Sequence, residues 1–176
     1  MKRVLILALG MICLSIPAFA QLQLGGTAFY MAPLDQSGDN KITPNDFLYG
    51  AEARLLLGPL EGSATGVFQP PYDDGMGGSF PPAIFAMFDG GLGISLLGLV
   101  RVGGEAGINV IQPLGGSGTE KALNAGANVR LLATASLLGL NVGANATLFY
   151  PSFAAIADPQ AAPPEILFGV SVLLNL

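Results

Sequence analysis

The chain has 176 residues, with no histidine and one cysteine, and a formal net charge of −5. Hydrophobic residues make up 51% of it and charged residues only 11%, while glycine is abundant at 25 residues. The acidic balance argues against nucleic-acid binding. The absence of histidine removes the usual metal ligand and the usual general base at neutral pH, so we expect that the protein is not an enzyme.

The N-terminal residues have the features of a secretory signal peptide. Lys2 and Arg3 precede the apolar run Val4–Ile16, and a small-residue cleavage site ends at Ala20. We expect cleavage after Ala20, so that residues 1–20 are the signal and residues 21–176 form one domain. Cys13 is lost with the signal, which leaves no disulfide. Twelve acidic residues then face five basic ones (seven minus Lys2 and Arg3), a net charge of about −7.

Charged and apolar residues alternate with a period of two. In Phe47–Leu57 one set of alternate positions is wholly apolar, and the other set contains Glu52 and Arg54. The remaining charged residues of strand-like segments fall on the same kind of face: Glu61, Asp89, Arg101, Glu105 and Arg130. An apolar face opposite a charged face is typical of a transmembrane β-barrel with lipid outside and a polar lumen. A soluble lipocalin-type barrel would need the opposite polarity.

Eight segments have about the length that a membrane-spanning strand requires, roughly 9–11 residues. We predict strands at Leu22–Tyr30, Phe47–Leu57, Leu60–Gln69, Ala83–Ser95, Leu99–Ile111, Leu123–Thr134, Leu137–Tyr150 and Ile166–Leu176. Three of the predicted connections are short, namely Gly58-Pro59, Leu96-Leu97-Gly98 and Ala135-Ser136. The other four are long: Met31–Asp46, Pro70–Pro82, Gln112–Ala122 and Pro151–Glu165. The predicted fold is an all-β, eight-stranded antiparallel up-and-down transmembrane barrel, with short turns in the periplasm and long loops outside.

Aromatic residues lie near the long connections, at the apolar positions of the strands. This set consists of Tyr30, Phe47, Tyr49, Phe68 and Tyr150. It predicts an aromatic girdle at one membrane interface. Ordinary β-propensity is the alternative explanation.

The C-terminal segment keeps the alternation to its end. It reads Phe168-Gly-Val170-Ser-Val172-Leu-Leu174-Asn-Leu176. With its alternating strands and tight turns, the chain resembles the small eight-stranded outer-membrane β-barrel proteins, the group of OmpX-like, OmpA-transmembrane-like and OmpW-like proteins. The resemblance implies a monomer in the bacterial outer membrane, with membrane lipid and the barrel-assembly machinery as partners. These proteins usually end on an aromatic residue, whereas this chain ends on Leu176.

The charged set predicts a network in the lumen. Three arginines and four carboxylates in a narrow interior should form ion pairs, because an unpaired buried charge is costly. Arg54 should lie opposite Ser63 and diagonal to Glu61, within reach of its side chain. Asp89 and Glu105 should repel unless an arginine lies between them. Two interpretations remain open: a salt-bridged lumen in a structural or surface-interaction protein, and a narrow porin-like channel for ions or small solutes.

The first long connection partly matches the calcium-loop template. The side chains at template positions 1, 3, 5, 9 and 12 would be Asp35, Ser37, Asp39, Thr43 and Asp46. The backbone carbonyl at position 7 would come from Lys41. Asn40 replaces the usual glycine at position 6, and position 12 is an aspartate in place of glutamate. The loop predicts a calcium site, and with it a third hypothesis, a calcium-ordered surface adhesin. An ordinary polar loop is the alternative.

Overall fold

The computed structural model describes residues 20–32, 46–73, 79–115, 122–158 and 164–176. Within these residues there are ten strands and one short helix. The strands are β1 (Ala20–Ala32), β2 (Phe47–Leu57), β3 (Leu60–Gln69), β4 (Tyr72–Asp73), β5 (Ser79–Phe80), β6 (Ala83–Leu96), β7 (Val100–Pro113), β8 (Asn124–Leu137), β9 (Leu140–Tyr150) and β10 (Glu165–Asn175). Helix α1 (Phe153–Ala157) lies in the last long connection. Among the described helical residues there is no helix of sufficient length and hydrophobicity to cross a membrane.

Eight of the strands form one closed antiparallel barrel. Each barrel strand pairs with its neighbours in chain order, and β1 pairs with β10 to close the ring. Strands β4 and β5 form a separate two-stranded sheet in the connection between β3 and β6. The predicted fold class and the eight predicted strands are therefore confirmed, with strand ends shifted by a few residues.

Three tight turns join strands at one end of the barrel, which we call the short-turn end; the opposite end is the long-loop end. Gly58-Pro59 is a turn, as predicted. The predicted turn at Ala135-Ser136 is wrong, because β8 continues to Leu137 and the turn is Leu138-Gly139. The backbone φ is 53° at Leu138 and 84° at Gly139. A two-residue hairpin turn needs such positive φ angles, which glycine adopts readily and an Ala-Ser pair does not.

The outer wall of the barrel is apolar. Leucine, valine, isoleucine and phenylalanine side chains at outward positions are exposed on every barrel strand, among them Leu24, Leu55, Phe68, Phe88, Ile108, Leu131, Val142 and Val170. Every charged side chain of the eight barrel strands takes the opposite parity. At the long-loop end Phe47 contacts Tyr30 and Tyr49, with ring centroids 5.5 and 6.3 Å apart. This cluster agrees with the predicted aromatic girdle.

Two leucines in the turns adopt a backbone conformation that is energetically unfavourable for leucine, and substitution should remove this cost. Leu97 and Leu138 have φ of 53° and are each 98% exposed. A left-handed backbone costs a non-glycine residue about 1–2 kcal/mol, and asparagine tolerates it better than leucine. We expect Leu97→Asn and Leu138→Asn each to raise the free energy of unfolding by roughly 0.5–1 kcal/mol. Urea titration of protein refolded in lipid vesicles measures this change. As a control, Leu92→Asn on the outer wall should lower the free energy of unfolding. If Leu92→Asn stabilised the protein as much as the turn substitutions do, this explanation would be contradicted.

Candidate functional site: the barrel interior

Arg130 lies at the centre of the interior and binds carboxylates from three other strands. It extends from β8 and is fully buried, with 0% of its surface exposed. Its guanidinium nitrogens lie 3.3 Å from Glu52 on β2, 3.4 Å from Asp89 on β6 and 3.5 Å from Glu105 on β7. The same guanidinium donates a hydrogen bond to the Thr65 hydroxyl at 3.1 Å. One side chain thereby links β8 to four other strands of the barrel.

The other two arginines lie nearer the short-turn end; Arg54 shares Glu52 with Arg130, and Arg101 pairs with a different carboxylate. Arg54 binds Glu52 at 2.6 Å and donates to the Thr134 hydroxyl at 3.0 Å. Arg101 binds Glu61 at 2.8 Å. Arg54 does lie opposite Ser63, as predicted, and it pairs with Glu52, whereas the diagonal Glu61 pairs with Arg101. Glu52 lies two positions away on the same face of β2, which brings it closer to the Arg54 guanidinium than the diagonal partner.

Asp89 and Glu105 are the two carboxylates that were expected to repel, and Arg130 lies within ion-pair distance of both. Each of these carboxylates also accepts a hydrogen bond. Ser63 donates its hydroxyl to Glu105 at 3.0 Å, and the Asn128 amide donates to Asp89 at 2.5 Å. All seven predicted network residues are buried in the interior. The name charge network is used for these seven residues below: Glu52, Arg54, Glu61, Asp89, Arg101, Glu105 and Arg130.

Inward-facing glycines leave the space that these side chains occupy. A Cβ added at Gly103 would overlap the Glu61 carboxylate, and one added at Gly107 would overlap the Asp89 carboxylate. Both glycines lie on β7, next to β6, which carries Asp89; Glu61 reaches Gly103 from β3, on the far side of β6. The high glycine content therefore makes room for long charged side chains in a barrel whose interior is just wide enough to be filled by them.

The half of the interior nearer the long-loop end is filled mainly by apolar side chains, with the buried amide residue Asn109 opposite Met87. We call this cluster the apolar plug, and it consists of Phe29, Leu48, Val67, Ala83, Phe85, Met87, Phe149 and Leu167. The Phe85 and Phe149 rings lie 5.7 Å apart, and the Arg130 guanidinium lies 5.8 Å from the centre of the Phe29 ring. A cation over an aromatic face is attracted to it, so this contact joins the charge network to the plug.

Sequence reasoning missed the apolar plug, although its signal was present. Phe85 and Met87 have the same parity as Asp89 on β6, and Leu48 has the same parity as Glu52 on β2. Alternation alone therefore places these apolar side chains inward. The expected inward set of charges, amides, glycine and serine is correct for the rest of the interior, but it is incomplete at the long-loop end.

Amide side chains form the remaining layer, at the short-turn end. The Gln23 and Asn141 amides both donate to the Asn175 side-chain oxygen, at 3.1 and 2.7 Å. Asn141 also accepts a 2.6 Å hydrogen bond from Ser136. A polar cavity of about 250 Å³ opens among these residues and Arg54. The interior thus changes from polar to apolar along the barrel axis.

Most of the predicted calcium loop lies outside the described residues. This applies to Asp35, Ser37, Asp39, Lys41 and Thr43, whereas Asp46 is described at the start of β2. Within the described part of the chain, no three acidic, cysteine or histidine side chains are grouped to hold a metal ion. The calcium site stays a prediction.

Known structures share this architecture. The N-terminal β-barrel domain of Pseudomonas aeruginosa OprF superposes with a TM-score of 0.62 at 12% identity, over 89% of this chain and 97% of that one. The fold is that of the small eight-stranded outer-membrane β-barrels. Ail, the attachment invasion locus protein of Yersinia pestis, superposes with a TM-score of 0.57 at 8% identity, over the same shares of the two chains. No protein-family model and no curated protein sequence matches the chain. At these identities the likeness concerns the fold alone.

Removal of the central guanidinium should destabilise the barrel strongly. Arg130→Met keeps most of the buried volume but leaves Glu52, Asp89 and Glu105 facing one another without a shared cation. Breaking a buried ion pair in this way typically costs about 3–5 kcal/mol. We expect a loss of that size in urea unfolding followed by circular dichroism. Val129→Ala, on the outer wall beside it, is the control and should cost under about 1 kcal/mol. A loss below 1 kcal/mol for Arg130→Met would contradict the central role of Arg130.

A methyl group at Gly103 should displace Glu61 and weaken its pair with Arg101. We expect Gly103→Ala to lower the free energy of unfolding by about 1–3 kcal/mol, the usual cost of overpacking. Gly66→Ala is the matched control, because Gly66 faces outward and an added Cβ would have nothing within 4 Å. It should be neutral or slightly stabilising. If both substitutions changed the free energy of unfolding equally in the same urea titration, the Glu61 side chain would not require the space left at Gly103.

Proposed function

We propose that the protein is an integral β-barrel of the bacterial outer membrane with a structural or surface-interaction role and an interior closed to solutes. The inverted polarity of the barrel supports the membrane assignment. Buried arginines and carboxylates lie inside, and rows of exposed leucine, valine and phenylalanine cover the outer wall. In water this arrangement would expose apolar surface around the whole barrel, whereas in a bilayer the same surface contacts lipid tails.

The orientation and the partners follow from the architecture as part of this proposal. We place the short-turn end in the periplasm and the long-loop end outside, with the signal peptide cleaved after Ala20. Outer-membrane lipid contacts the apolar wall, and the barrel-assembly machinery inserts the chain, which functions as a monomer. The likeness in fold to small outer-membrane barrels supports this placement.

One observation favours a closed interior over a narrow channel. The charge network alone would be compatible with a gated path for ions, as in the alternative interpretation. The apolar plug, however, fills the interior between that network and the long-loop end, where Phe29, Phe149 and Met87 are each 0% exposed. A hydrophobic constriction excludes water and with it hydrated ions. A solute would therefore have to displace both the plug and the ion pairs around Arg130.

The long-loop end is the surface that we propose for interactions. Ail has been crystallised with the heparin analogue sucrose octasulfate, a polyanion. A polyanion suits this chain poorly, because its net charge is −5. Among the described residues, the long-loop end carries acidic Asp46, Asp158 and Glu165 and no basic side chain. We therefore propose a neutral or cationic partner for this surface. Catalysis is not part of the proposed function, because the chain has no histidine to act as a general base.

Conductance measurement tests the closed interior. Mature protein refolded in detergent should migrate faster unheated than boiled on a denaturing gel, and its circular dichroism should be dominated by strand. Reconstituted in a planar bilayer, it should give no discrete conductance steps above the background of protein-free detergent. Phe85→Ser combined with Phe149→Ser, which removes two plug rings, should raise conductance if the variant folds.

Two results would contradict this proposal. The first is a set of reproducible conductance steps whose size changes in Arg54→Ser or Arg101→Ser, since that would show ions passing through the charge network. The second is good solubility without detergent together with the absence of a gel-mobility shift. That result would remove the membrane assignment itself.

A further inference from the structure

A cavity of about 280 Å³ lies at the long-loop end of the barrel, directly above the apolar plug. Phe85 of the plug forms part of its floor, together with Met31 and Ile111, which pack against the plug. Prolines that precede or end the strands stiffen its walls. The cavity is separated from the charge network by the thickness of the plug, so it is a distinct site and forms no part of the proposed closed interior.

Among the described residues, Glu165 is the only ionisable one that lines this cavity. It is the first residue of β10 and has inward parity, two positions before Leu167 of the plug. Two amide side chains, Gln69 and Asn124, are the other polar groups of the lining that could orient a ligand.

The charge of Glu165 has no compensation within the described part of the chain. The ion pairs found there all involve Arg54, Arg101 or Arg130, and none of them includes Glu165. A carboxylate beside mainly apolar walls is poorly solvated, which makes a positively charged ligand favourable at this position. The acidic net charge of the protein acts in the same direction, because it raises the local concentration of cations.

We propose that this cavity binds a small organic ammonium ion with an apolar or aromatic body. The ammonium group pairs with Glu165, the amides of Gln69 and Asn124 orient its remaining polar atoms, and its body fills the space over the Phe85 ring. The volume suits a ligand of about ten non-hydrogen atoms, since a dry cavity of about 150 Å³ accommodates benzene. A divalent metal would find one carboxylate and two amides here, which is fewer charged ligands than calcium usually takes. An anion would meet Glu165, and the described residues of the lining offer it no compensating cation.

Phenethylamine is the probe for this site, and 3-phenylpropionate is its control with the opposite charge. Isothermal titration of the purified protein in a non-ionic detergent, with heats of protein-free micelles subtracted, should give a Kd for phenethylamine of about 0.1–1 mM, as expected for so small a ligand. Binding of 3-phenylpropionate should be at least tenfold weaker. Glu165→Gln should weaken phenethylamine binding at least tenfold, and Phe85→Leu should weaken it severalfold.

Two further variants separate the site from general charge effects. Asp158→Asn removes a negative charge at the same end but outside the cavity lining, and it should bind phenethylamine like the unmodified protein. Glu165→Lys should reverse the preference, so that 3-phenylpropionate binds better than phenethylamine. Each variant is first checked for the heat-dependent gel shift that reports a closed barrel.

Three outcomes would overturn the proposal: no binding of phenethylamine by the unmodified protein, equal binding of the two probes by it, or an unchanged Kd in a folded Glu165→Gln variant. The first two outcomes are measured on the unmodified protein, so they test the proposal even where a variant fails to fold. The protein can give no conductance steps in a planar bilayer and still bind phenethylamine. The two experiments therefore test the closed interior and the cavity separately.

Discussion

A guanidinium with no solvent-exposed surface lies at the centre of this protein, and the cost of placing it there explains the arrangement around it. Transfer of a charged group out of water costs several kcal/mol even after the protein relaxes. Arg130 is compensated by Glu52, Asp89 and Glu105, which come from three different strands. Because each of these strands must place its acid at the same depth, the strand positions around the barrel are coupled to one another. The ion pairs thus favour one alignment of the strands over slipped alternatives.

The interior has to be filled, and two kinds of side chain fill it. Toward the short-turn end, ion pairs and hydrogen bonds link arginines, carboxylates and amides, with glycines leaving room for the longer groups. Toward the long-loop end, the closely packed apolar plug fills the interior. The Phe29 ring under the Arg130 guanidinium is where the two kinds of packing meet. These two layers are the basis of the closed interior and the scaffold role that we propose.

The sequence predicted the strands, their faces and the charged set, because a period of two is a local property of a strand. It did not predict which carboxylate each arginine binds. Residues 52 and 130 are brought together only by the tilt and stagger of strands around the closed ring, which no local pattern encodes. The turn at Leu138-Gly139 was misplaced because its leucine adopts a left-handed backbone that small and polar residues usually supply. The plug was overlooked because inward position was equated with polarity, although Phe85 and Asp89 share one face of β6.

The sequence separation of the central ion pairs bears on how the barrel enters a membrane. Arg130 lies 78 residues from Glu52 and 25 residues from Glu105 along the chain. A hairpin of β7 and β8 can therefore pair Arg130 with Glu105 early, whereas the pairing with Glu52 requires the sheet to have curled. Until then, Glu52 would have only Arg54 of its own strand as an ion-pair partner. In the proposed membrane setting, the central ion pairs would therefore favour strand insertion together with ring closure.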